Sequence, residues 1–331
     1  MGSFFKKVVS IVFVMFLGVF SGNCQLEKYP QAEITNDILT ARLFLPDAEI
    51  GYYKGTRFDW SGIISSLEYK GHTYFGQWFD DDDPPPFATI MGPVEAYSPF
   101  NYNEVDPGSD FVKLGVGIIK KPTNEAYSPF KQYTIVDPGE WKLITKKNEV
   151  RLVQRINSGT YSYEYTKIVQ LIPGQPKMVI EHRLKNTGSK RIKTIGFNHN
   201  FFVIDNQSIG KDFEMTFPVD VSGTGRGLGD AFELQGNKLT FLRDLEGDES
   251  IACKYLEGLT NGVEDFDIKV ENLHTGAGVK LSGDRPLSRL RLWGTARTLC
   301  PEPHLEIKVE PGEEFRWSYF YGFYETNTMR P

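Results

Sequence analysis

From residue 66 onward the chain reads as one strand after another, each stopped by turn residues. That punctuation limits its fold more than any other feature. Ser66-Leu67-Glu68-Tyr69, Lys70-Gly71 and His72-Thr73-Tyr74-Phe75 spell strand, turn, strand. Residues 141–145 and 149–156 spell it again around Lys146-Lys147-Asn148. Asn157-Ser158-Gly159 leads into a strand over 161–172, and Pro173-Gly174-Gln175-Pro176 turns it into another over 177–184. Further strands read at 267–270, 278–281, 290–293 and 315–324. After residue 20 no stretch of helical length carries a 3.6-residue apolar period. The pattern predicts an all-β fold, a large antiparallel β-sandwich, and shows no interdomain linker, so 25–331 reads as a single domain.

The first residues read as a targeting segment. Lys6 and Lys7 precede an apolar run over 8–20, followed by Ser21-Gly22-Asn23-Cys24. The run is short for a membrane span and suits a secretory leader over 1–24, so the protein is expected to be exported, to the periplasm, the cell surface or the medium. Cys24 raises a lipid anchor. Asn23 stands where a small residue is usual, and no Leu lies three positions before Cys24, so ordinary cleavage is the expectation. Beyond the leader no membrane span is expected.

The net charge of -6 argues against nucleic acid as a partner. Aromatic residues make up 14% of the chain, which suits sugar stacking and a well-packed sandwich equally. Cys253 and Cys300 fit one disulfide or two buried thiols. No Cys/His spacing matches a zinc site, and no metal or cofactor is expected. Asp80-Asp81-Asp82-Asp83-Pro84-Pro85-Pro86 reads as a solvated acidic loop rather than a calcium site. The hexapeptide Glu95-Ala96-Tyr97-Ser98-Pro99-Phe100 recurs at 125–130, and each copy is followed by Val-Asp-Pro-Gly. The two copies read as loop-plus-turn units flanking one strand over 111–120.

Two segments carry chemistry. Asn198-His199-Asn200-Phe201-Phe202 ends a strand that starts near residue 191, and places a titratable ring beside apolar ones. That suits a general acid, and equally a histidine that only hydrogen-bonds at a sandwich rim. Leu299-Cys300-Pro301-Glu302-Pro303-His304 puts Glu302 between two prolines, which predicts a rigid turn presenting a fixed carboxylate.

With Asn186-Thr187-Gly188 ahead of His199, and Glu310-Pro311-Gly312-Glu313 after Glu302, these blocks resemble the galactose mutarotase-like (aldose 1-epimerase) superfamily. The resemblance implies a large β-sandwich that interconverts sugar anomers without a cofactor. Glu302 would take the anomeric hydroxyl proton. His199 would protonate the ring oxygen from the other side of the sugar. It further implies substrate binding by Arg57, for which a structural arginine paired with Asp59 or another acid is the alternative. Trp60 offers a stacking face, and Asp205 reads as orienting a catalytic group, binding a hydroxyl or capping the following loop. His304 is notable for its place beside Glu302. The family's usual earlier His is missing from the strand over 111–120, where Lys113 or Lys120 could substitute as donors. Lys120-Lys121 could hold an anion, and a uronate or an oligosaccharide end would suit an exported enzyme. A non-catalytic carbohydrate-binding sandwich and a structural protein of the cell envelope are the alternatives.

Overall fold

A computed structural model of the chain describes residues 26–79, 90–260 and 262–326. The expected leader, Cys24 and the run of Asp80 to Pro86 lie outside the described residues.

The strands are, in chain order, β1 (Gln31–Thr35), β2 (Leu39–Phe44), β3 (Ile63–Tyr69), β4 (His72–Thr73), β5 (Val94–Tyr97), β6 (Asp110–Lys113), β7 (Gly117–Lys120) and β8 (Ile135–Asp137). There follow β9 (Glu140–Lys146), β10 (Glu149–Ile156), β11 (Tyr163–Leu171), β12 (Lys177–Asn186), β13 (Ile192–His199), β14 (Phe213–Thr216), β15 (Ser222–Arg226) and β16 (Phe232–Gln235). The last are β17 (Lys238–Phe241), β18 (Ser250–Glu257), β19 (Asp267–Asn272), β20 (Ala277–Gly283), β21 (Arg289–Thr295), β22 (Thr298–Val309) and β23 (Glu314–Glu325). Two short 3-10 turns are the only helical elements among the described residues, and no helix there is long and apolar enough to cross a membrane.

A ten-stranded antiparallel sheet, in the order β16-β17-β14-β19-β20-β23-β12-β11-β10-β9, packs on a six-stranded one, β15-β18-β21-β22-β13-β5. Their facing side chains fill the main core. Leu184, Ile180, Tyr321 and Phe323 of the large sheet share one cluster with Leu290, Leu292, Leu305 and Ile307 of the small one. Strict alternation makes this work: β12 buries Met178, Ile180, His182, Leu184 and Asn186 and turns the residues between them outward. The sheet β1-β2-β3-β4 and the sheet β6-β7-β8 add a second cluster, which includes Phe58, Trp60, Met91, Phe111, Phe201 and Cys300.

Three local expectations change. The segment over 111–120 is two strands, β6 and β7, because Gly115 and Gly117 adopt positive φ and turn the chain back. The two hexapeptide copies also part company. The first forms β5, where Glu95 is fully buried, while the second is a loop in which Glu125 is exposed and pairs with Lys131. Strand partners, not local sequence, decide between them.

The third change concerns Glu302, which lies in the middle of the twelve-residue strand β22 and not in a turn. Leu299 exchanges both backbone hydrogen bonds with Phe202, and Pro301 O accepts from the Asn200 side chain, so odd-numbered residues aim their backbone groups at the β13 side. Ser288 N–H donates to His304 O, so even-numbered residues aim theirs at the other flank, where β21 lies. The β13 ladder stops at Phe197–His304, so the missing donors of Pro301 and Pro303 face a gap in that ladder.

Candidate active site

The burial pattern of β22 locates a site. Cys300, Glu302, His304, Glu306 and Lys308 share the outer face of the six-stranded sheet. Glu306 and Lys308 are exposed, yet Cys300, Glu302 and His304 are buried. The second cluster covers that end of the strand. Across β21, Trp293 pairs with Cys300, Arg291 with Glu302 and Arg289 with His304. Across β13, Phe197 pairs with His304, and His199 ends the strand on the same face.

His199 and Glu302 are in contact. His199 Nε2 lies 3.3 Å from Glu302 Oε1, and its Nδ1 lies 2.5 Å from Cys300 Sγ. The imidazole stacks on Phe201 at 3.8 Å between centroids, with Trp293 edge-on at 5.7 Å. Phe201 holds a left-handed backbone at φ 41, an uncommon conformation for an aromatic residue, and its ring stacks in turn on Trp78. Gly92 lies against this turn, where a Cβ would come within 2.8 Å of His199 O. Behind the site Tyr321 donates to Asn200 Oδ1 at 2.8 Å and accepts from Asn198 Nδ2 at 2.6 Å, which fixes the backbone on either side of His199.

The charge states follow from these surroundings. Burial pushes His199 down to about 3, and it is neutral at pH 7. Burial also pushes Glu302 up, but His199, His304 and Arg291 outweigh it and hold the carboxyl down at about 2. Burial keeps the Cys300 thiol protonated. The 3.3 Å approach lacks hydrogen-bond geometry, so the carboxylate acts on the ring through its field; a proton on Nε2, the nearer nitrogen, is favoured, and Nδ1 then accepts from the Cys300 S–H. Phe201 N–H donates to the same sulfur at 3.2 Å. When the ring gains a proton, that sulfur is in place to accept from Nδ1–H instead.

His304 Nδ1 accepts from Arg289 Nη2 at 3.1 Å, so its proton is on Nε2, 3.8 Å from Glu302 Oε2. Arg291 Nη1 is also 3.8 Å from that oxygen. Arg57, between the rings of Phe58 and Phe130 at 4.6 Å from each centroid, lies within electrostatic reach of Glu302. Single ligand atoms of His199, Cys300 and Glu302 lie within 4.8 Å of one another. The sulfur lies against Nδ1 and the carboxylate is nearer Nε2. Sequence spacing could not show this trio, because strand pairing creates it. Cys253 and Cys300 are free thiols on opposite faces of the sheet.

The same architecture recurs in solved structures. A GalM/aldose epimerase homologue from C. elegans matches 90% of this chain over 99% of its own, at 13% identity and a TM-score of 0.55. A galactose mutarotase related enzyme from Lactobacillus acidophilus matches 91% over 100%, at 13% identity and a TM-score of 0.54. The chain has the galactose mutarotase-like fold. A galactose mutarotase-like protein from Lactobacillus casei matches 89% over 100%, at 14% identity and a TM-score of 0.52. No family model and no curated protein matches the sequence.

On this galactose mutarotase-like frame several residues read from the sequence take other places. Trp60 is buried in the second cluster, where its Nε1–H donates to Gly55 O at 2.8 Å, so it offers no stacking face. Asp205 binds His72 Nδ1 at 2.9 Å and Thr73 N–H at 2.8 Å, which ties down β4. Lys120 pairs with Asp110 across the β6–β7 hairpin, and Lys121 donates to Tyr102 O and Val105 O, so neither reaches Glu302. Lys113 is buried and donates to Thr56 O and Arg57 O; burial, aided by Arg57, lowers it to about 7. It holds the backbone under Arg57 and does not replace an upstream histidine.

The sequence reading missed Cys300, Trp78, Trp293, Arg289 and Arg291. Alternation along 289–293 carried a signal for the last three, since every second residue there is arginine or tryptophan.

Proposed function

We propose that the chain is an aldose 1-epimerase-like isomerase that interconverts the anomers of a free sugar, with Glu302 as base and His199 as acid. The His199–Glu302 contact carries this reading. Anomer exchange moves a proton off O1 and another onto the ring oxygen, and both oxygens are bonded to C1. Acid and base must therefore converge on one carbon, and a contact pair suits that better than the two opposed groups the sequence suggested.

Glu302 takes the O1 proton as the C1–O1 double bond forms. The C1–ring oxygen bond breaks, and its electrons take a proton from doubly protonated His199. The open aldehyde rotates about C1–C2, and the reverse steps close the ring on the other face. Protons and electrons balance without redox change. Trp293 and Phe197 are placed to wall the sugar, and Arg57 to bind a hydroxyl.

A second reading, sugar binding without turnover, draws support from the absence of a histidine in β6 and β7. Magnetisation-exchange NMR on a monosaccharide panel separates the two. Exchange above the buffer rate on any sugar supports the isomerase, whereas binding with no such exchange supports the binding module. The same reading takes 1–24 as a cleaved leader and 25–331 as one exported domain, which N-terminal sequencing of secreted material tests.

A further inference from the structure

We propose that the sugar carries a negative charge of its own, on a substituent away from C1, and that Arg289 and Arg291 hold it. The proposal rests on the isomerase reading above and names the substrate class for that site.

Arg289 and Arg291 lie two residues apart on β21, so both project from the outer face, roughly 7 Å apart along the strand. Their cross-strand partners are His304 and Glu302. Among the described residues, Glu302 is the only carboxylate in contact with either guanidinium, and it reaches Arg291 alone, at 3.8 Å. Arg291 keeps 36% of its side chain exposed. Arg289 is fixed from two sides: Nη2 donates to His304 Nδ1, and the guanidinium lies 5.4 Å from the Tyr255 ring centroid with Nη1 3.4 Å from its hydroxyl. Tyr255 is 59% exposed, so this arm reaches the open rim.

Among the described residues, two guanidinium groups against one carboxylate leave net positive charge beside the His199–Glu302 pair. Burial is the main cause that lowers His304 and His199; both arginines add to it at His304 and Arg291 at His199, so their field reaches these rings. A neutral sugar has nothing to complement it. A pre-oriented guanidinium fork matches the planar oxygens of a carboxylate or the oxygens of a phosphate. An aldose bearing either group fits, whether a hexuronate or a hexose phosphate.

The test measures anomer-exchange kcat/KM of the full chain on galactose, galacturonate, glucose, glucuronate and glucose 6-phosphate. The anionic sugars are expected to exceed their neutral parents by about tenfold or more, the scale of one charge-assisted hydrogen bond. Uronates or the phosphate leading identifies the source of the charge. Arg289→Gln is expected to shrink the anionic-to-neutral ratio by about tenfold, and added salt to raise KM for the anionic sugars only. Equal or better turnover of the neutral parents overturns the proposal and leaves the isomerase reading standing. If no sugar exchanges faster than buffer, the isomerase reading falls. Calorimetry then decides the charge proposal: tighter binding of glucuronate or glucose 6-phosphate than of glucose supports it, and no preference or no binding overturns it.

Discussion

His199 Nε2 lies 3.3 Å from Glu302 Oε1 while its Nδ1 lies 2.5 Å from Cys300 Sγ, so one imidazole touches a carboxylate and a thiol at once. These two contacts favour the resting tautomer with the proton on Nε2. Nitrogen-15 NMR of labelled histidine at pH 7 is expected to show a neutral His199 protonated at Nε2. Cys300→Ala is expected to allow the other tautomer to appear, and Cys300→Ser to restore the first. A wild-type ring protonated at Nδ1 contradicts the arrangement.

The pH dependence follows from the proton that the acid must carry. Burial lowers His199 from its ordinary 6.5 to about 3, so the doubly protonated ring is scarce at neutral pH and more abundant as pH falls. After subtraction of buffer catalysis, kcat/KM for a neutral sugar is expected to fall by about tenfold per pH unit between pH 5 and 8. A bell centred near neutrality would contradict the lowered pKa.

Gly92 lies against the turn that carries the site. A methyl group at this position would meet His199 O at 2.8 Å and Phe201 Cδ2 at 3.0 Å. Gly92→Ala is expected to cost about 1–3 kcal/mol by chemical denaturation and to slow exchange, because relief of the clash moves His199. Unchanged stability and activity would show that the turn yields freely.

The core hides an ion cluster. Glu95 of β5 contacts Lys167 of β11 and His182 of β12 at 2.5 and 3.1 Å, all buried between the sheets. Lys167→Met leaves the Glu95 carboxylate short of a partner and is expected to cost about 3–5 kcal/mol, whereas Glu95→Gln with Lys167→Met recovers much of the loss. Burial raises Glu95, but Lys167 and His182 outweigh it and hold the carboxyl at about 2, below its ordinary 4.5. Its contribution to stability is therefore complete above pH 4.5 and lost as pH falls towards 2. Equal stability of Lys167→Met and wild type across that range rules out the cluster as a stabilising element.

The sandwich was legible because alternation and turn chemistry are local: β9 to β12, β19 to β21 and β23 fall where the pattern places them. That His199 and Glu302 belong to one site was legible only through resemblance, which set them on opposite sides of a sugar; their direct contact comes from strand pairing and not spacing. Trp60 misled because an aromatic residue near glycines reads the same in a core as in a binding wall. Glu302 misled in the opposite way. Two prolines argue against a strand unless their missing donors face a gap, and only the lapse of the β13 ladder supplies one. Cys300, Arg289 and Arg291 went unread because their roles depend on which side of β21 and β22 is covered, a property of the second cluster and not of either strand.

The central claim is that Glu302 and His199 move protons at one anomeric carbon. The most direct test is anomer-exchange NMR of wild type, Glu302→Gln and His199→Ala on whichever panel sugar exchanges fastest, with folding checked by circular dichroism. Wild type is expected to exceed the buffer rate, and each folded variant to lose about a hundredfold. Folded variants that exchange as fast as wild type, or a wild type no faster than buffer on every sugar, would contradict it.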